Sequence, residues 1–160
     1  MRRSKPWTDA RPGPCRARAE DGSASLEFIT AGMLLLLPLV YLVLVMSAVQ
    51  AGALAVEGAA RQAARVFVQG ETVAAATAQA ERAIQFALAD YGLDAAEATV
   101  AVSCSPDPDD CLTRLGLVTV DVGVSVDLPL VPPGLTVDVP LAVPLEATAT
   151  QQVSRFWGGR

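Results

Sequence analysis

The sequence contains no histidine, only three cysteines, two tryptophans and two tyrosines. Without histidine the chain lacks the commonest general base and the commonest metal ligand. No Gly-rich phosphate loop, Gly-x-Ser-x-Gly or Cys-x-x-Cys occurs, and the few serines have no evident activating base. These absences point away from an enzyme and away from a bound cofactor or metal. The one carboxylate cluster, Asp107, Asp109 and Asp110 in SPDPDDC, would suit Ca²⁺ by ligand type. It lacks the EF-hand spacing and glycine, and reads better as a solvated turn.

Charge is also missing from one long stretch. From Phe28 to Val49 no residue is charged. Those residues, at about 1.5 Å each in a helix, span roughly 33 Å, the thickness of a bilayer's hydrocarbon core. The run reads as a transmembrane helix in contact with the lipid bilayer, with Pro38 near its middle as a kink site. The ends of the chain differ in sign. Residues 1 to 22 carry Arg2, Arg3, Lys5, Arg11, Arg16 and Arg18 against Asp9, Glu20 and Asp21, while the rest holds six basic and fourteen acidic residues. Basic flanks stay in the cytoplasm on insertion, so the N-terminus is expected inside and the acidic remainder outside the cell membrane. An acidic ectodomain also argues against nucleic acid as a partner.

Three regions follow from composition. Residues 1 to 22, rich in Arg, Pro, Gly and Ala without apolar period, read as a disordered cytoplasmic leader. Residues 23 to 69 read as a transmembrane helix that starts near Ser25 and extends outward to about Val68. Residues 70 to 160 read as a small extracytoplasmic α+β domain. In it Thr72 is the expected cap and Gly92 the expected stop of an amphipathic helix, with Val73, Ala76, Ala80, Ala83, Ile84, Ala87, Leu88 and Tyr91 on one stripe. Period-two alternation then predicts about three antiparallel strands. They are 98 to 104, 117 to 128 with its even positions inward, and one beginning near Leu135 with its odd positions inward. Pro140 and Pro144 share a parity and lack N–H groups, which makes that last strand a sheet edge.

Several features admit two readings. Ala51, Ala55, Ala59 and Ala63 recur every fourth residue beside Gly52 and Gly58. They form either a packing face for other subunits or a by-product of Ala-rich composition. Cys104 and Cys111, on the exported side, form either a local disulfide or two free thiols, whereas Cys15 lies in the leader, where thiols stay reduced. The C-terminal SRFWGGR is either a docking tail or a frayed end.

The segment EDGSASLEFITAGMLLLLPLVYLVLV raises the question of targeting. A cleaved secretory signal, with SAVQA ending at Ala51 as its cut site, has a shorter apolar region than this one. A plain signal anchor fits the hydropathy but gives no role to Gly22 or Glu27. Gly22 followed by four residues and then Glu27 and Phe28, between a basic leader and an apolar helix, resembles the type IV prepilin signal. That resemblance implies a prepilin peptidase as partner, with cleavage between Gly22 and Ser23. It also implies a role in assembly for Glu27, whose carboxylate would neutralise the new N-terminus of a neighbouring subunit. The competing reading of Glu27 is an interfacial helix cap. Residues 20 to 68 further resemble TadE-family pseudopilins of the tight-adherence (Flp) pilus system, in the Glu27–Phe28 pair, the apolar helix with its proline and the Ala-rich continuation with Arg61 and Arg65. The resemblance implies a non-enzymatic minor pseudopilin packed with other pilin-like subunits of the Tad apparatus. TadG relatives share the membrane segment but carry a larger domain. The alternative is a signal-anchored cell-envelope binding protein unrelated to pili.

Overall fold

The computed structural model describes residues 21–130 and 141–158. Residues 1–20 of the leader and the stretch 131–140, which contains Leu135 and Pro140, lie outside the described residues, whereas Asp21 and Gly22 of the leader are helical. Helix α1 spans Asp21–Phe67, α2 spans Val73–Ala89, and a short 3₁₀ turn covers Ala95–Glu97. Strands β1 (Thr99–Ser105), β2 (Leu117–Asp127) and β3 (Ala142–Gln152) form one antiparallel sheet in the order β1-β2-β3. α1 begins four residues before Ser25. A single glycine near a helix end, costing about 1 kcal/mol relative to alanine, does not stop it. The chain divides into two compact units, one ending at Val40 and the other running from Tyr41 onward.

In the first unit the helix carries Leu34, Leu35, Leu36 and Leu37 exposed on all sides. Pro38 lies inside the helix, where its ring takes away the N–H that would meet the Leu34 carbonyl.

The second unit owes its core to two periodicities. In β2, Val118, Val120, Val122, Val124 and Val126 are all buried, and they form one cluster with Ala55, Val56, Ala59, Ala60, Ala63, Ala64 and Phe67 of α1. The opposite face of the sheet is polar. Thr119 and Thr150 share a hydroxyl hydrogen bond of 2.9 Å, and Thr148 donates to the Asp121 carboxylate. In β3 the odd residues Leu145, Ala147 and Ala149 pack against the core while Glu146, Thr148 and Thr150 face out. A one-residue slip would exchange these faces, so the valine pattern pins the register.

The small-residue stripe is settled by its neighbours. Ala55, Ala59 and Ala63 are buried within this chain's own core, so they are not a face for other subunits. Small side chains let α1 lie close on the sheet, as Gly52 shows. A Cβ there would stand 2.6 Å from Val126 Cγ2 and 2.8 Å from Leu145 Cδ1. Gly58, by contrast, is exposed and has nothing within 4 Å of its Cβ position.

α2 is bounded as its sequence requires. The Thr72 hydroxyl accepts from the Ala75 N–H at 3.2 Å. At the other end Gly92 adopts φ +72°. There the Leu93 N–H reaches the Leu88 carbonyl at 3.0 Å and the Gly92 N–H reaches that of Ala89 at 2.9 Å, a Schellman closure. Of the expected stripe, Ala76, Ala80, Ile84 and Leu88 are buried, whereas Val73 and Tyr91 at the ends are exposed. Val73 is the first residue of α2 and Tyr91 lies beyond its last, Ala89, so each is on the line of the stripe but at an end where less of the chain lies over it.

Candidate functional site

Two regions bear on function. The first is the beginning of α1. Gly22 and Ser23 fall in its first turn, and one turn later come Glu27 and Phe28, both exposed. Among the described residues Glu27 has no ion-pair partner. Phe28 is 79% exposed, and Phe28, Ala31, Gly32, Leu35 and Leu36 outline a wholly apolar groove along the helix, opened by the missing side chain at Gly32. The Thr30 hydroxyl donates to the Leu26 carbonyl at 2.7 Å, so its polar group is satisfied within the helix. The helix is long and apolar enough to cross a membrane.

The second region lies where three segments of the second unit meet. Cys104, at the end of β1, is disulfide-bonded to Cys111, with a Cα–Cα distance of 5.1 Å. Beyond the bridge Leu112 is buried, and the loop is stitched to the segment that follows β3. The Leu115 N–H donates to the Val153 carbonyl at 3.1 Å, and the Val153 N–H to the Gly116 carbonyl at 2.8 Å. The Arg114 Nε donates to the Trp157 carbonyl at 2.8 Å, and the Trp157 Nε1 to the Gly70 carbonyl at 3.1 Å. The bridged loop, the C-terminal segment and the α1–α2 connection are thus tied together. The tail divides by residue: Trp157 is an anchor against the core, whereas Phe156 is exposed with Arg155 stacked 5.1 Å from its ring centroid. No sequence signal distinguished these two adjacent aromatics.

The carboxylates of the turn point to solvent. Asp107, Asp109 and Asp110 are exposed, and the Asp107 side chain accepts from the Asp109 N–H at 3.0 Å, which closes a local turn. Among the described residues no group of His, Cys, Asp or Glu is arranged to hold a metal. The structure does not bring the start of α1 and the disulfide-bearing loop into one compact unit.

Comparison with protein-family models, with curated proteins and with solved structures finds no match for this chain.

Proposed function

We propose that the chain is a membrane-anchored minor pseudopilin of the TadE-like kind, taking part in assembly of a Tad/Flp-type pilus or a related secretion apparatus. One observation carries the reading. An uncharged helical surface, exposed from Phe28 to Leu44, begins directly after Glu27, and Glu27 stands five residues beyond Gly22. In this reading the apolar part of α1 crosses the cell membrane, with the basic leader cytoplasmic and the acidic α+β domain outside. A prepilin peptidase removes the leader after Gly22 and leaves an ammonium group at Ser23. A carboxylate at the edge of hydrocarbon is costly alone, and pairing with a neighbouring subunit's ammonium offsets that cost. The role is assembly through helix packing, not catalysis.

Intact-mass measurement of the membrane-extracted protein tests this. The expected species begins at Ser23, and Gly22→Val should retain the leader while still inserting, because the apolar helix is unchanged. An intact leader in the wild type would support the signal-anchored binding protein instead. A species beginning after Ala51 would identify a cleaved export signal.

A further inference from the structure

The two edges of the sheet are built differently. β3 carries Pro144, which has no N–H, and Glu146 faces out beside it. Prolines and outward charges are how natural edges are kept from pairing. β1, the other edge, reads Thr-Val-Ala-Val-Ser-Cys-Ser, with no proline and no charge. Its core-side residues are also uncovered. Val100 and Val102 are 44% and 39% exposed, although their partners across the ladder, Val122 and Val120, are buried. β1 therefore presents both a free row of backbone groups and an apolar row that the chain's own helices leave open.

Charge narrows what would cover it. Glu97 is exposed just before β1, and Asp107, Asp109 and Asp110 are exposed just after it. Arg114 is the only basic residue between Arg82 and Arg155, and its Nε is engaged by the Trp157 carbonyl. A second copy is a poor occupant. Antiparallel pairing of two β1 strands about Val102 sets Glu97 of each copy opposite Asp107 of the other, like charge against like. The proline-bearing edge of another copy's β3 would bring Glu146 to the same acidic rim.

We infer that β1 is a docking edge for an extended segment of another protein, one that alternates apolar side chains and carries basic residues at both ends. Such a strand would extend the sheet by main-chain hydrogen bonds and cover Val100 and Val102 with its apolar row. It would meet carboxylates at either end whichever way it ran. The inference does not depend on the pilus reading.

The test uses the full chain in detergent micelles. The probe is a blocked synthetic peptide of β1's length, alternating valine and threonine, with paired lysines at each end. N-methylation of alternate amides leaves it one hydrogen-bonding edge, so it cannot stack beyond a dimer. Added at low salt, it should protect from exchange the amides of alternate residues in Thr99–Ser105, read by NMR, and leave β3 unchanged. The same peptide ending in glutamates should bind at least tenfold more weakly, and Val102→Lys should weaken the lysine peptide to a similar degree. Glu97→Gln with Asp107→Asn should narrow the gap between the two peptides while leaving the fold intact. No protection in β1, equal binding of both peptides, or protection along β3 would each overturn the proposal. So would concentration-dependent protection of β1 without peptide, which would make a second copy the occupant.

Discussion

Substituting the two glycines on the outer part of α1 should have effects of different size. Both lie mid-helix, where alanine is favoured over glycine by about 1 kcal/mol through backbone entropy. At Gly58 nothing stands within 4 Å of the new methyl. Gly58→Ala should therefore stabilise by most of that amount. At Gly52 the methyl would lie 2.6 Å from Val126 Cγ2 and 2.8 Å from Leu145 Cδ1, well inside ordinary contact. Val126 is β-branched, buried and paired with Val143 near the end of β2, and its stiff χ1 keeps its methyl from swinging aside cheaply. Relief comes only through off-rotamer side chains or a small lift of the helix from the sheet, at about 1–3 kcal/mol. The helical gain offsets part of this, so Gly52→Ala should leave the unit unchanged or destabilise it by up to about 2 kcal/mol. The two variants should differ by about 1–3 kcal/mol in favour of Gly58→Ala. With roughly 4 °C per kcal/mol for a unit of this size, thermal unfolding in detergent resolves the difference. If Gly52→Ala stabilised as much as Gly58→Ala, α1 would not lie on β2 and β3 at that distance, and the packing account of the stripe would fail.

If the chain is a pseudopilin as proposed, Glu27→Gln should spare insertion and leader removal but sharply reduce crosslinks to partner pilins in pilus-bearing cells, because a neighbour's ammonium would lose its partner in a low-dielectric bundle. A helix-cap role predicts a loss of only about 0.3–1 kcal/mol in one subunit, so wild-type crosslinking would withdraw the pairing role. Replacing Cys104 and Cys111 together by serine should destabilise the second unit by about 2–3 kcal/mol on chain-entropy grounds, and unchanged denaturant unfolding would refute that. Trp157→Phe keeps most of the packing but removes the donor to the Gly70 carbonyl. It should cost about 0.5–1.5 kcal/mol and raise amide exchange near Gly70, whereas Phe156→Ala, on an exposed ring, should change neither.

The helices and the faces of the two longer strands were legible in the residues because their signals are local. Thr72 and Gly92 bound α2 through hydrogen bonds that span only a few residues. The even valines of β2 and the odd apolar residues of β3 assign the core face through the period of the strand itself. The uncharged run after Glu27 marks a helix of bilayer length without reference to any other part of the chain. What remained open depends on which surfaces meet. Ala55, Ala59 and Ala63 suit another subunit or the chain's own core equally well by composition, and only their burial in one cluster with α2 and β2 decided between them. Phe156 and Trp157 are neighbours of similar character, yet a hydrogen bond to Gly70, 87 residues away, anchors one and leaves the other in solvent. β1 alternates like a strand with a covered face, but its place at the sheet edge leaves Val100 and Val102 open. Periodicity states which side chains share a face. Whether anything lies over that face is a property of long-range packing, and here tertiary structure covered the valines of β2 and left those of β1 exposed.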